Sequence, residues 1–412
     1  MPRLFVHFTF LLFAITAISG LWMRFYPFNP DTSLPYTNVM HGHSHLAILG
    51  WAFLGAFIIF LSIFWKTIRQ KKQAKVVAIA LFVTSFLMFG AFVYQGYGLY
   101  SIIMSSLHIL VEYWAALFIY RELNGQLGIP KPGKYFINGS LLALVISSIG
   151  PFSLGVIAAN GLRDSYVFDM AIYFYLHFQY NGWLYLFLIG LFIIVLHQKQ
   201  IVFNHSLLIA GFWIYFLSLF PGYYLSVLWV ELGGHSQVLA TIGGIGQWIG
   251  VFGVIIAFKG IWVRLYRKFH DVTVICLWIT FFLLIVKSTM ELGLISPTMA
   301  SLVYETRSVI IGYLHFSLLG FVSTFILTQF QLIGIINMRN HLMQAGFLIF
   351  FIGFALNELF LFGNGFAQWC GFSSIPFISH GLLGASVLMV ISIAIIWISF
   401  IITRKNESVS IN

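Results

Sequence analysis

Residues 45–65 read HLAILGWAFLGAFIIFLSIFW, a histidine followed by a long run without a charged side chain. An apolar segment of about 20 residues can cross the hydrocarbon core of a bilayer as a helix. The whole chain shares this character, because 60% of its 412 residues are hydrophobic, 8% are charged and its mean hydropathy is +0.96. The sequence therefore predicts an integral membrane protein rather than a soluble domain.

Charged residues divide the chain into twelve apolar runs of this length. The runs begin near residues 4, 41, 76, 101, 136, 168, 204, 236, 271, 306, 341 and 378. We therefore expect an all-α fold in which twelve transmembrane helices form one transmembrane domain over residues 1–412, embedded in the lipid bilayer.

Basic residues mark every second connection between these runs. Clusters occur within residues 66–75 and 259–268, whereas the opposite connections hold only Arg24, Arg163 and Arg307. Because Lys and Arg concentrate on the cytoplasmic side, we expect a multi-pass protein of the cytoplasmic membrane with both termini inside. Topology thus accounts for the net charge of +10, and no nucleic-acid partner is expected.

The histidine that opens the quoted segment belongs to a pattern that occurs three times. His45-Leu-Ala-Ile-Leu-Gly50-Trp51 is matched by HFQYNGW from His177 and by HFSLLGF from His315, in the second, sixth and tenth runs. A histidine also lies near the start of the fourth, eighth and twelfth runs: His108, His235 and His380. This pattern predicts three pseudo-symmetric four-helix repeats, at about residues 1–125, 126–262 and 263–412.

Six histidines in apolar sequence point to a bound metal or haem. Neutral imidazole is a common metal ligand, and an ionisable group inside a membrane indicates function by default. The candidate metal ligands are His45, His315, His177, His235, His108 and His380. His41 is a further candidate because it lies one turn before His45, on the same helix face, while His43 points elsewhere.

Twelve helices, three four-helix repeats and histidines on helices two and ten resemble subunit I of the haem–copper oxidase superfamily. The resemblance covers the whole chain in architecture but is specific only around helices two, six and ten. It implies a low-spin haem, haem b in type, held between His315 and either His45 or His41. It also implies that His177 is a copper ligand. Ligation of a second haem by His177, or a hydrogen bond from it to a haem propionate, are the alternatives.

Other positions depart from that family or leave two interpretations open. Tyr313 replaces the histidine that holds the oxygen-reducing haem, although tyrosine can also ligate haem iron. The paired histidines of helix seven and the His-Pro-Glu motif of helix six are missing. Arg24 and Arg307 either pair with haem propionates, as the resemblance implies, or anchor the chain at the interface.

The resemblance therefore predicts electron transfer or chemistry on a small gas such as nitric oxide, but no reduction of oxygen to water. The HxHxH stretch is broadly similar to that of twelve-helix haem- and copper-containing proteins of nitric oxide stress responses. An enzyme of this kind would be an oxidoreductase with a quinol or cytochrome donor and other membrane subunits as partners. The alternatives are a non-enzymatic haem- or copper-handling protein, a transporter with a histidine-lined pathway, and a metal-free structural subunit.

Several acidic residues lie one helical turn from a basic partner. His108 with Glu112, and Glu231 with His235, can exchange protons or simply satisfy each other. Lys287 and Glu291 are expected to form an ion pair at the membrane interface. Glu358 stands alone in an apolar run, where it either binds a proton or reaches a neighbouring helix.

Overall fold

The computed structural model describes residues 1–230, 232–372 and 376–409, with side chains for all of these except residues 376 and 404–409. The described chain is helical and contains no β-strand. Twelve helices are long and apolar enough to cross a membrane. In chain order, spans 1 to 12 are Leu4–Phe28, Tyr36–Phe64, Lys71–Gln95, Leu99–Asn124, Lys131–Ala159, Tyr166–Gln198, His205–Val227, Gly234–Ala257, Asp271–Gly293, Arg307–Leu332, His341–Trp369 and Phe377–Thr403.

These spans confirm the prediction of an all-α polytopic membrane protein. The largest differences between predicted and observed starts are five residues, as at position 41 against Tyr36 and 76 against Lys71. Two short helices, Trp262–Lys268 and Pro297–Glu305, lie outside the spans. The identity of the membrane and the side on which the termini lie stay predictions.

Asparagine side chains fix the starts of two spans. Asn204 Oδ1 accepts a hydrogen bond from the Leu207 amide at 3.0 Å, before span 7. Asn340 Oδ1 accepts from the Leu342 amide at 2.9 Å, before span 11. Each bond satisfies one of the amide groups that a helix N-terminus leaves without an intrahelical partner. The loops before these spans therefore determine where each helix begins.

The chain folds as two compact units. Unit one comprises residues 1–119 and 318–412, and unit two comprises residues 120–317. The boundaries fall inside spans 4 and 10, so they differ from the limits of the predicted repeats. The division into three four-helix repeats therefore stays a prediction.

Close helix pairs organise each unit. In unit one, spans 11 and 12 pack along each other and span 1 packs on span 12. In unit two, span 7 packs on span 8 and span 5 on span 6. Small residues allow the contact between spans 7 and 8, because a Cβ added at Gly243 would lie 2.1 Å from the Gly222 nitrogen. Such approach is typical of membrane helices, whose association depends on close packing.

Candidate functional site

Spans 2, 6 and 10 each contain a π-helical segment, which no other described span contains. A π-helical segment covers Leu46–Ala52 in span 2, His177–Leu184 in span 6 and Phe316–Ser323 in span 10. These segments coincide with the three copies of the sequence pattern. π-Helical turns are rare, and those that occur are often found at functional sites. The repeated sequence therefore corresponds to a repeated local structure that starts at, or directly after, a histidine.

The glycine of each pattern lies against a neighbouring side chain. A Cβ at Gly182 would lie 2.7 Å from the Ala143 Cβ, and one at Gly320 would lie 2.6 Å from the Phe354 ring. At Gly50 the nearest atom would be a Leu46 methyl at 2.9 Å. Gly182 and Gly320 therefore permit close packing against residues of neighbouring spans.

Two of the π-helical segments are bonded directly within unit one. The Trp51 indole nitrogen of span 2 donates to the Ser323 hydroxyl of span 10 at 2.8 Å, in a fully buried contact. The Trp51 ring also stacks on Phe13 of span 1 at 3.9 Å. A buried indole N–H needs such a partner, so this bond fixes the register of the two segments.

His45 and His315 are held by their own helices in the same way. His45 Nδ1 lies 2.9 Å from the carbonyl oxygen of His41, and His315 Nδ1 lies 2.8 Å from that of Ile311. A carbonyl group only accepts hydrogen bonds, so Nδ1 carries the hydrogen in both residues. Nε2 of the neutral imidazole then carries the lone pair that can bind a metal. Fixing a ligating histidine through its other ring nitrogen is the usual arrangement in metal sites.

Aromatic side chains of unit one flank His45. Its half-buried imidazole stacks on Phe92 at 4.2 Å, and the edge of Tyr97 lies 6.0 Å away. His41 faces the same two rings, at 6.3 Å and 4.5 Å respectively. His43 instead turns to span 1, where its Nδ1 contacts the Thr16 carbonyl at 3.0 Å. The predicted division of the HxHxH stretch is therefore confirmed.

His177 differs from the other two pattern histidines. It is 2% exposed, and its Nε2 donates to the Leu219 carbonyl at 2.9 Å. Its Nδ1 faces the side-chain amide of Asn181 at 3.4 Å. Both nitrogens thus have protein partners, and a metal at His177 would have to displace one of them. This geometry does not favour the copper or second-haem ligation that the resemblance implies.

The histidines of the second set have varied surroundings. His108 is fully buried, with Nδ1 2.7 Å from the Thr84 hydroxyl and Nε2 3.6 Å from Glu112, so the expected pair with Glu112 is present. His380 is exposed and packs on Phe28 at 4.7 Å. His235 is also exposed, and its expected partner Glu231 lies outside the described residues.

The described residues contain no group of three His, Cys, Asp or Glu side chains arranged to hold a metal ion. A copper site of the three-histidine type is therefore not formed by the described part of the chain. A haem needs fewer protein ligands than such a copper site, because one or two axial ligands suffice. His45 and His315 each have the Nε2 lone pair that such a ligand needs.

A buried charged network occupies unit two. Lys287 Nζ lies 2.9 Å from Glu291 Oε1, and the two side chains are only 5% and 15% exposed. The expected ion pair is therefore present near the end of span 9, and its side chains are buried within the protein. The pair is buried because spans 6 and 10 supply polar partners: the Asn181 side-chain amide donates to Glu291 Oε1 at 3.1 Å, and Lys287 donates to the Asn181 side-chain oxygen Oδ1. Tyr313 also donates to Glu291 Oε1.

Aromatic rings complete this network. The Lys287 ammonium lies 5.4 Å from the centre of the Tyr180 ring and 5.8 Å from that of Tyr313, within cation–π range. Tyr313, the position where the resembling family has a haem ligand, is thus engaged by Glu291. Tyr180 carries no signal in the sequence that points to this network. The only sequence signal for Asn181 is its position one helical turn after His177.

The remaining predicted residues lie near the ends of spans or stand alone. Arg24 is half-buried at the end of span 1, and Arg307 is exposed at the start of span 10. Glu358 is 7% exposed and its Oε1 accepts from the adjacent Asn357 at 3.0 Å. The only hydrogen bond described for Glu358 is thus with its own helix.

No protein-family model matches the chain, and no curated protein matches it either.

Proposed function

We propose that the chain binds a b-type haem within the membrane and that His45 is an axial ligand of its iron. The observation that carries the proposal is the bond from His45 Nδ1 to the His41 carbonyl, which places the lone pair on Nε2, the nitrogen that would bind the iron. The stacked Phe92 ring limits rotation of the imidazole. His315, bonded in the same way to Ile311, is the second candidate ligand.

Electron transfer is the activity that these residues support best. Ligation by two histidines leaves no open position on the iron, which suits electron transfer rather than chemistry on a gas. When bound, the haem would supply a one-electron couple, and the protein would supply its orientation and apolar surroundings. Reduction of nitric oxide would need a second centre, for which the described residues offer no three-histidine cage.

Visible spectroscopy of the purified full-length chain tests the proposal. A reduced-minus-oxidised spectrum should show the bands of low-spin haem b, and His45→Ala should remove them or convert them to a five-coordinate form. His315→Ala and His41→Ala separate the candidate ligands. His43→Ala is the matched control, because His43 lies in the same stretch but contacts span 1.

Each outcome assigns the protein to a different class. Loss of the low-spin bands in His45→Ala, with the control unchanged, supports haem ligation by His45. A preparation that carries stoichiometric copper and no haem supports the alternative of a copper-handling protein or transporter. Haem bands that persist unchanged in His45→Ala, His41→Ala and His315→Ala would reject all three ligands.

A further inference from the structure

Unit one contains a cavity of about 350 Å³ where span 1 ends and where spans 2 and 12 begin. Its lining combines one cation with hydroxyl groups and apolar surface: Met23, Arg24, Tyr26, Pro27, Tyr36, Ser379 and Leu382. A volume of this size suits a small ligand or the polar part of a larger one. We propose that the cavity binds the phosphate group of an anionic phospholipid, with Arg24 as its principal partner.

The charge of the lining favours an anion. Arg24 belongs to neither of the ion pairs His108–Glu112 and Lys287–Glu291. Glu358 is near enough to influence the Arg24 guanidinium electrostatically, yet it lies beyond ion-pair distance and bonds Asn357 instead. A guanidinium presents several donors in a rigid fork that matches phosphate oxygens. The Tyr26, Tyr36 and Ser379 side chains add hydroxyl donors.

The position of the cavity favours a lipid over a soluble anion. Trp22 and Tyr26 lie 5.4 Å apart, and Tyr26 and Tyr36 lie 5.3 Å apart, at the ends of their spans. Aromatic residues of this kind concentrate at the level of lipid headgroups. Phe25 and Phe377 nearby are 44% and 62% exposed. A phosphate held at Arg24 would therefore have apolar surface beside it for acyl chains.

Native mass spectrometry of the purified full chain tests this site. Titration with phosphatidylglycerol, and with phosphatidylcholine of the same acyl chains, measures the preference for an anionic headgroup. We expect Arg24→Gln to weaken phosphatidylglycerol binding about tenfold or more, since a charged hydrogen-bond partner is lost. Arg24→Lys should lose less, because it keeps the charge but not the fork. Arg163→Gln changes an exposed arginine that does not line the cavity, and this variant should bind like the unaltered chain.

Four results would overturn the proposal. One is equal binding of phosphatidylglycerol by the Arg24→Gln and Arg163→Gln variants. Another is binding of inorganic phosphate that competes with the lipid at equal concentration, since the site would then be for the free anion. A third is equal binding of the two lipids by the unaltered chain. The last is unchanged lipid binding together with an altered haem spectrum in Arg24→Gln, because the cavity would then serve the cofactor. Thermal unfolding of each variant verifies that the fold is retained.

Discussion

The copies of the histidine pattern in spans 2 and 6 have the same π-helical turn but opposite hydrogen bonding of the imidazole. His45 bonds its own helix through Nδ1, which leaves the lone pair of the neutral imidazole on Nε2. His177 bonds the Leu219 carbonyl through Nε2 and faces Asn181 with Nδ1. Identical sequence spacing therefore places a histidine at the same point of a helix without deciding its role. The hydrogen-bond partner of each imidazole, from its own helix for His45 and from span 7 for His177, determines which ring nitrogen carries the hydrogen.

The largest expected effect comes from breaking the network that supports the span 6 copy. Lys287→Met leaves the Glu291 carboxylate buried without its cation and Asn181 without a donor. We expect a loss of about 3–5 kcal/mol in unfolding free energy, measured by SDS titration in mixed micelles. The double change Lys287→Met with Glu291→Leu should cost less than Lys287→Met alone, because no unpaired charge remains. A double variant that is less stable than the single one would contradict this explanation.

The glycine of the span 6 copy should also be sensitive to substitution. A Cβ at Gly182 would lie 2.7 Å from the Ala143 Cβ, an atom that cannot rotate away. Gly182→Ala should therefore destabilise the protein by about 1–3 kcal/mol, by the same measurement. Gly155→Ala is the control, because a Cβ there meets nothing within 4 Å. If the two variants have equal stability, close packing at Gly182 does not hold spans 5 and 6 together.

Removing the imidazole of the span 6 copy should affect stability but not haem. His177→Ala leaves the buried Leu219 carbonyl and the Asn181 amide with one partner fewer. We expect a cost of about 1–3 kcal/mol and an unchanged haem content per protein. Haem content is measured by the pyridine haemochromogen assay. Loss of haem from a folded His177→Ala protein would make the span 6 copy a ligand like the span 2 copy.

The smallest expected effect comes from removing the hydrogen bond that joins the π-helical segments of spans 2 and 10. Trp51→Phe keeps the stacking on Phe13 but loses the bond to Ser323. We expect a loss of about 1 kcal/mol in unfolding free energy. Ser323→Ala should have a similar effect, and the double variant should add little to either single change. Fully additive losses would show that the two side chains do not act as a pair.

Much of the fold follows from local properties of the sequence. Runs of about 20 apolar residues between charged loops predict the twelve spans, because a helix is the simplest way to satisfy backbone groups in lipid. The i, i+4 rule likewise predicts that His41 and His45 share one helix face and that His108 meets Glu112. These predictions need only the geometry of a single helix.

Contacts between helices were less predictable. The burial of Lys287 and Glu291 depends on Asn181 and Tyr313, which are distant in sequence and come from spans 6 and 10. The engagement of both nitrogens of His177 likewise depends on the Leu219 carbonyl of span 7. A single sequence does not specify which faces of the helices meet. These partners could therefore be identified only in the folded structure.

The difference between the span 2 and span 6 copies is tested most directly by three absorption spectra. Reduced-minus-oxidised spectra of His45→Ala, His177→Ala and His43→Ala should be recorded at equal protein concentration. We expect loss or conversion of the low-spin haem b bands in His45→Ala alone. Retention of those bands in His45→Ala with their loss in His177→Ala would contradict the proposal that the span 2 histidine binds the iron.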